Sequence, residues 1–568
     1  MATNQTGTFQ TEVIQRGGRV VFSRGTFIDL GVIVLLWIVA VIMVRPGGEF
    51  PLNDDWSWGM TAKDLAEGKG YRPTGWTEMT LFAHAIWGAL FCLPQGFSFT
   101  ALRVSTLVMS LAGVLAMYFL IRQLGRTRLV ALICALSLAF NPIYFALSNT
   151  YMADVPFTTM AILAVLFFVR HLKSESRLDL GIATAIAVAA TLSRQMGLCL
   201  PLAFGITLWL KHGFQKRLLL RMVLPVVVCV AGLMIFQFWL KTTGAAPTNT
   251  LRTGRLWTVL GDPLKVLVNV AYYGWGMLMY LGWFVAPVIL LVSRKRDVTP
   301  AGPSLAVRVV MMIFLLVTAG RFALRPSLMP VHSNILVPQG IGPLTLRDSF
   351  DLQLPHVPPV PIYFWIIVTL VSLAGAIYLV IKLTRLLIKL FPKGRFTPEN
   401  EDETIGAFLL LSAVIYLAPF LMSGYFDRYL LPVLAFLLAF MAVLWTGVEQ
   451  KLSRWQPIGA LLLVGGAGVF GVMGTRDYLE WNRTRWSAVR TLLAQPEVKP
   501  ADVDGGFEVN GWFLYGDANL ATNWAGTVTY VIAFGAIEGF EPVATNTYHH
   551  WLPPHEGRIL VLKRKPGH

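Results

Sequence analysis

Long apolar runs, separated by short polar segments, fill the chain from residue 26 to residue 474. A membrane helix needs about 20 mostly apolar residues, and most of these runs approach or exceed that length. The pattern therefore predicts an all-α polytopic membrane protein with about thirteen transmembrane helices. The predicted spans are residues 26–44, 98–121, 129–147, 155–170, 179–193, 198–210, 218–240, 264–291, 304–322, 361–381, 404–423, 430–446 and 457–474.

The two ends of the chain are polar and differ in what they predict. Residues 1–25 are basic, and the run that follows has no small-residue cleavage site, so we expect a retained first span and a cytoplasmic N-terminus. Residues 475–568 predict a small α/β domain. In that tail "RDYLEWNRTRWSAVRTLLAQ" has helical periodicity, whereas "GGFEVNGWF", "VTYVIAFGAI" and "GRILVLKRK" have the pattern of strands between turns.

The basic residues lie in clusters between the apolar runs, and this distribution predicts the topology. The chain has 47 Lys and Arg against 31 Asp and Glu, an excess that alone would suggest nucleic-acid binding. Clusters such as "RQLGRTR" (122–128) and "KHGFQKR" (211–217) instead match the basic cytoplasmic loops of membrane proteins. With thirteen spans and the N-terminus inside, all seven clusters fall on the cytoplasmic side, so we expect no nucleic-acid partner.

The sequence has no recognisable metal-binding pattern. The four cysteines lie in or beside apolar runs, and neither they nor the adjacent His549 and His550 have the spacing of a zinc site. We therefore expect no disulfide framework and no required cofactor. A bound divalent metal is an alternative that no motif supports.

Charged residues recur in the loops on the outer side of the predicted membrane. Asp54 and Asp55 follow the first span, Asp154 precedes the fourth, Arg194 separates the fifth from the sixth, and Arg428 lies between the eleventh and twelfth. Transporters usually place such charges near the middle of the membrane. The outer cluster instead predicts a site at the membrane–water boundary, suited to a substrate with a lipid tail and a polar head.

Each of these residues also has a structural interpretation. Asp54 or Asp55 could cap the short helix predicted over "WSWGMTAKDLAEG", and Asp154 could cap the helix whose first turn holds Pro156. Arg194 and Arg428 could extend to the interface or form structural ion pairs. In the functional interpretation, a carboxylate takes a proton from a hydroxyl and the arginines bind phosphate.

The order and sidedness of these motifs resemble the GT-C polytopic membrane glycosyltransferases. The resemblance is closest to the bacterial branch related to protein O-mannosyltransferases and to the lipid A aminoarabinose transferase, and "DRYLLP" (427–432) contributes its late motif. It covers nearly the whole chain in layout. It implies a multi-pass inner-membrane enzyme of the cell envelope that transfers a sugar from a polyprenyl-phosphate carrier, with inversion, to an acceptor lipid, glycan or protein.

The resemblance also implies roles for individual residues. Asp54 corresponds to the catalytic base, and Asp55 to its acidic companion. Asp154 corresponds to the second acidic motif. Arg194 and Arg428 correspond to basic residues that face the carrier phosphate.

Two regions depart from the family pattern. Some relatives carry a Lys in the second part of the first loop, whereas this chain has Glu78 and His84 there. Glu78 is then the candidate for contacting substrate. The loop 323–360 is expected to cover the donor, and Arg347 is its candidate substrate-binding residue. Together with loops 45–97 and 145–158 it makes up the expected catalytic loops of the outer face.

Two other functions fit the composition. A transporter or lipid flippase would place charges at mid-span along a central pathway, and a membrane scaffold would tolerate replacement of Asp54. The outer clustering of charges and the extra C-terminal domain favour the enzyme. The sequence leaves the sugar and the acceptor unidentified.

Overall fold

The computed structural model describes residues 23–77, 79–244, 258–292, 304–324, 328–391, 396–444, 452–515 and 528–566. Most of these residues are helical. The helices of the first half are α1 Arg24–Val44, α2 Asp55–Ala66, α3 Phe82–Cys92, α4 Phe99–Gln123, α5 Arg128–Ala139, α6 Pro142–Ser148, α7 Asp154–Ser174, α8 Arg177–Ser193, α9 Cys199–His212 and α10 Lys216–Thr242. The helices of the second half are α11 Pro263–Val292, α12 Leu305–Leu324, α13 Arg347–Phe350, α14 Ile362–Leu390, α15 Glu401–Ser423, α16 Leu431–Val443, α17 Trp455–Leu493 and α18 Phe507–Leu514.

The predicted spans are helices, which confirms a multi-pass membrane protein. Within the described ranges, nine helices are long and apolar enough to cross a membrane, namely α1, α4, α7, α10, α11, α12, α14, α15 and α17. A tenth span results if α5 and α6 are taken together. The other three predicted spans correspond to the shorter helices α8, α9 and α16. The count of thirteen therefore stays a prediction.

The predicted span 129–147 is broken in the structure. Helices α5 and α6 meet at an angle of 62°. The Asn141 side chain accepts hydrogen bonds from the amides of Ile143 and Tyr144, both at 3.1 Å, and Pro142 occupies the first turn of α6. An Asn cap followed by Pro starts a new helix, which explains the break inside an apolar run.

The basic loops gather at the end of the helices opposite Asp154. Helix α7 begins at Asp154 and ends at Ser174, a length of about 30 Å at 1.5 Å per residue. In its basic last turn, Lys173 lies 3.7 Å from Glu401 at the start of α15, and Arg126, before α5, bonds Asp402 at 2.5 Å. The basic clusters at 122–128 and 170–177 thus both contact the start of α15. The cluster at 293–297 lies outside the described residues.

The described residues contain the strands β1 Leu336–Val337, β2 Gly340–Ile341, β3 Val503–Asp504, β4 Tyr530–Ala533, β5 Phe540–Trp551 and β6 Pro554–Arg564. The last four form a sheet in the C-terminal domain, in the order β3–β4–β6–β5. Strands β3 and β4 are parallel, and the other two pairs are antiparallel. A separate hairpin, β1–β2, lies in the loop before α14.

Two of the three predicted strand segments, those containing β4 and β6, are confirmed, but the strand predicted over "GGFEVNGWF" is wrong. This segment forms α18 because a polar turn starts a helix there. Asp504 Oδ1 accepts the amide of Gly506 at 3.1 Å and the side-chain amide of Asn510 at 2.9 Å. Gly506 has φ +85°, a conformation that glycine adopts without strain.

The last membrane helix continues into the C-terminal domain. Helix α17 runs without interruption from Trp455 to Leu493, so the predicted boundary at 474/475 lies inside one helix. Its Asp477 accepts the amides of Trp551 and Leu552, both at 2.8 Å, at the turn between β5 and β6. The helix therefore fixes the sheet relative to the membrane domain.

The long loop before α14 is held between the membrane helices and the C-terminal sheet. The Asp427 carboxylate accepts the amides of Ile335 at 3.1 Å and Leu336 at 2.7 Å. On the other side, Asp348 accepts the amide of Phe534 at 3.0 Å. Buried carboxylates thus fix both ends of the segment that faces the predicted site.

Candidate active site

Asp54 lies at the start of α2 but does not cap that helix. It occupies the N-cap position, yet its side chain makes no capping hydrogen bond. Oδ2 accepts a hydrogen bond from Arg428 Nη2 at 2.9 Å, and Oδ1 accepts one from the indole N–H of Trp76 at 3.1 Å. The carboxylate is about one-seventh exposed, with 14% of its side chain accessible. Its partners therefore favour a role in the site over the capping alternative.

Asp154 connects the two arginines that the sequence singles out. It is the first residue of α7 and is buried. Its Oδ1 accepts a short hydrogen bond from Arg194 Nη1, and its Oδ2 lies 3.9 Å from Arg428 Nε. Asp54, Arg428, Asp154 and Arg194 thus form a chain of alternating charges, which we call the charge chain. Four separate segments of the chain contribute one residue each.

Arg428 is charged and has spare hydrogen-bonding capacity. Burial lowers the pKa of Arg428, but the carboxylates of Asp54 and Asp154 outweigh burial and raise that pKa above its usual value. Its Nε and Nη1 atoms are buried and have no hydrogen-bond partner. A buried donor without an acceptor is costly, so these atoms would favour an incoming anionic oxygen.

Asp55 has a different environment from its neighbour. It is fully buried, and its Oδ2 accepts the amide of Tyr151 at 2.9 Å, which ties α2 to the segment before α7. Burial raises the pKa of Asp55 to about 7. The two adjacent carboxylates therefore differ in exposure, in partners and in proton affinity.

A cavity of about 1610 Å³ lies against the charge chain. Asp54, Arg194 and Arg428 line one side, next to Trp58 and Trp76. Further lining residues come from the loop before α14 and from the C-terminal domain, and they include Asn334, Val337, Gln339, Thr345, Phe350, Leu354, Phe507 and Tyr515. This volume exceeds that of a typical small-molecule pocket, about 300–1,000 Å³, and leaves room for two substrates.

The other predicted site residues lie elsewhere or are not described. Arg347 faces Asp504 of the C-terminal domain, with Nη1 3.6 Å from its carboxylate. Glu78 lies outside the described residues. His84 is buried, with Nε2 3.0 Å from the Tyr151 carbonyl oxygen, and burial lowers its pKa to about 4. His84 is therefore neutral at physiological pH.

Metal-ligating side chains do not converge in the part of the chain that the structure describes. No group of three or more His, Cys, Asp or Glu residues there could hold a metal ion. That the protein needs no metal stays a prediction.

Sequence reasoning missed two residues that contact Asn53 or Asp54. Trp76 donates to Asp54, and only its place in the same predicted outer loop could have indicated this. Glu508 accepts the amide of Asn53 at 2.9 Å. The signal for Glu508 is that it is the single acidic residue in the apolar segment "FEVNGWF". The strand predicted for this segment gave no reason to expect that Glu508 contacts the first loop.

Comparisons with known proteins bear on the predicted resemblance. The family model described as dolichyl-phosphate-mannose-protein mannosyltransferase matches residues 79–240. No curated protein matches. Among solved structures, the chain is similar to ArnT from Cupriavidus metallidurans bound to undecaprenyl phosphate, with TM-score 0.48, 10% identity and coverage of 95% of this chain and 98% of that chain. The apo state of that protein gives TM-score 0.38, 11% identity and coverage of 95% and 97%.

The segment matched by the family model extends from just before α3 into α10, and it contains Asp154 and Arg194. Over this segment, the match confirms the predicted relation to the mannosyltransferases.

Proposed function

We propose that the protein is a membrane glycosyltransferase that moves a sugar from a polyprenyl-phosphate carrier to an acceptor. The observation that carries the proposal is the charge chain at the wall of a large cavity, in a chain related to the mannosyltransferases. The description of the matched family names dolichyl-phosphate mannose, and dolichyl phosphate is a polyprenyl phosphate. The acceptor group is a hydroxyl or a phosphate on a lipid, a glycan or a protein.

Asp54 is the proposed general base. With a hydroxyl acceptor, its carboxylate takes the proton while the acceptor oxygen forms a bond to the anomeric carbon. The bond from that carbon to the phosphate oxygen breaks, and its electron pair stays on the phosphate. This single displacement inverts the anomeric centre. Asp54 suits the role better than Asp55 because Asp54 lines the cavity and Asp55 is fully buried.

Arg428 and Arg194 are the proposed phosphate ligands. Nε and Nη1 of Arg428 have no hydrogen-bond partner, so a phosphate oxygen could bind there while Nη2 keeps its bond to Asp54. Asp154 orients Arg194 through a buried ion pair. Negative charge on the phosphate grows as the sugar leaves, so both contacts strengthen in the transition state. The displacement itself calls for no metal ion.

The proposed location of the reaction is the outer face of the plasma (inner) membrane. The basic loops, which the positive-inside rule assigns to the cytoplasm, lie at the opposite end of α7 from Asp154. A polyprenyl-phosphate has its phosphate at the membrane boundary and its tail in the lipid. A transporter or flippase is less well supported, because the charge chain lies at helix ends and not along a mid-membrane pathway.

Turnover of defined donors tests the proposal. Purified protein would be incubated with a panel of polyprenyl-phosphate sugars, together with membrane lipids, cell-wall glycan or protein as acceptors. We expect one donor to be consumed with release of polyprenyl phosphate and gain of sugar by one acceptor class. The same donors with the sugar linked to a nucleotide should not react. Failure of every carrier-linked sugar to react would contradict the proposed donor class.

A further inference from the structure

A buried carboxylate of the C-terminal domain reaches the turn that carries Asp54. Glu508 Oε1 accepts the amide of Asn53 at 2.9 Å, and Oε2 accepts hydrogen bonds from Thr345 Oγ1 at 2.6 Å and Arg485 Nη1 at 2.8 Å. The side chains of Glu508 and Arg485 are fully buried. We infer that Glu508 is a positioning residue that holds Asp54 in its working orientation. The inference rests on the proposed function, in which Asp54 is the base.

Asn53 is the residue through which this contact acts. Its φ is +53°, in the left-handed region that few residues other than glycine adopt, although asparagine tolerates it better than most. Such a conformation persists only where the surroundings specify it. The Glu508 carboxylate is the hydrogen-bond acceptor for the Asn53 amide. The turn it stabilises directs the Asp54 side chain to Arg428 and Trp76, away from the amides at the start of α2.

An apolar contact between the same two elements supports the connection. The Trp56 ring lies 5.1 Å from the Tyr515 ring and 6.1 Å from the Phe507 ring, measured between centroids. Helix α18 approaches so closely that a Cβ added at Gly511 would lie 2.5 Å from Trp56. Helix α18 therefore contacts the Asp54 segment through a hydrogen bond on one side of the acidic pair and through rings on the other.

A purely structural role for Glu508 makes a different prediction. A buried Arg–Glu pair can often be replaced by apolar residues of similar volume without loss of stability. If the pair serves only stability, the double variant Arg485→Met with Glu508→Met should keep both its fold and its activity. If Glu508 positions Asp54, the same variant should fold but lose turnover, because the Asn53 amide has lost its acceptor.

Steady-state kinetics with a varied donor separates these outcomes. In the double Met variant we expect kcat to fall about 10- to 100-fold, the scale of a small misplacement of a reacting group, with donor KM little changed. Glu508→Gln keeps an acceptor oxygen and should retain more kcat than the double variant. Asp179→Asn is the matched control, since it makes the same kind of change at another buried carboxylate, paired with Arg170 at 3.1 Å at the opposite end of the helices, and should keep kcat close to wild type. A double variant with wild-type thermal unfolding and wild-type kcat would overturn the inference.

Thiol labelling gives a readout that does not depend on activity. All four native cysteines are buried, so Asp54→Cys introduces one accessible thiol into the cavity wall. We expect a maleimide to react with this thiol several-fold faster in the Glu508→Gln and double Met backgrounds, and at an unchanged rate in the Asp179→Asn background. Equal rates in all four backgrounds would overturn the inference. If wild type consumes no carrier-linked sugar, the proposed function fails, while the labelling rates still decide whether Glu508 holds this turn.

Discussion

Asp54 and Asp55 are adjacent in sequence, yet their surroundings give them different chemistry. The Asp54 carboxylate bonds Arg428 and Trp76 at the cavity wall, whereas Asp55 is fully buried against the amide of Tyr151. Sequence reasoning identified the acidic pair and the partners Asp154, Arg194 and Arg428. It could not predict that Arg428 lies between Asp54 and Asp154. The hydrogen bond from Arg428 to Asp54 joins residues that are 374 positions apart in the sequence.

Asp54→Asn should fold like wild type and lose most turnover. The change is nearly isosteric and removes only the ability to take a proton, which contributes about 10²- to 10⁴-fold to rate. Donor binding, measured by equilibrium binding to the detergent-solubilised protein, should persist. Wild-type turnover in Asp54→Asn would remove its assignment as the base. Asp55→Asn, the matched change next to it, should cost less.

Asp55 should make stability depend on pH. Its folded pKa, raised by burial to about 7, lies above the unfolded value of 3.8, so the folded state binds the extra proton between these values. Stability from this group is fully present below about pH 4, falls as pH rises and is lost above about pH 7, a change of the order of 4 kcal/mol. Asp55→Asn should flatten the fall in unfolding temperature between pH 5 and pH 8. An equal fall in both proteins would contradict this.

Arg428→Ala should lower both turnover and donor affinity. The side chain offers two donor atoms that have no hydrogen-bond partner, and it holds Asp54, so its loss affects the ground state and the transition state. Arg428→Lys should recover only part, since it keeps the charge but not the planar fork. Arg347→Ala is the matched control, because Arg347 faces Asp504. Equal kinetic constants for Arg347→Ala and Arg428→Ala would count against a specific role of Arg428.

At the scale of elements, the sequence predicted the long helices well and the short ones poorly. A run of about 20 apolar residues has few alternatives in lipid, because every backbone polar group must be bonded internally. The eight residues of α18 carry no such constraint. Whether they form a helix or a strand depends on the polar turn at Asp504 and on packing against α2. The contact of Glu508 with the first loop could not be predicted for the same reason.

Gly511→Ala should weaken the contact between α18 and α2. The added Cβ would lie 2.5 Å from the fully buried Trp56 ring, which has little room to move. Overpacking of this kind typically costs about 1–3 kcal/mol. The thermal unfolding temperature should fall, and Gly465→Ala, where a Cβ meets nothing within 4 Å, should leave it unchanged or raised. A fall of equal size in both variants would show that the α18–α2 contact is not responsible.

Across the whole molecule, the charge chain lies at one end of the helices and the basic loops lie at the other. Helix α7 begins at Asp154 in the charge chain and ends beside Glu401, and α15 begins at Glu401 and ends just before Arg428. The basic clusters predicted this sidedness from the sequence. The position of the C-terminal sheet relative to the charge chain could not be predicted from the sequence. It depends on buried polar contacts between distant segments, such as those of Asp477 and Asp348.

The C-terminal domain should lie outside the cytoplasm, on the same side as the charge chain. The structure requires that these two share a side, since Asn53 bonds Glu508, and the positive-inside rule places the loop between α9 and α10 on the other side. A reporter that is active only after export should therefore be active when fused to the C-terminus and inactive when inserted after Gly213. A reporter that is active only in the cytoplasm should give the reverse pattern. Cytoplasmic activity at the C-terminus would invert the topology, and the charge chain would then face the cytoplasm, where an outer-face donor could not reach it.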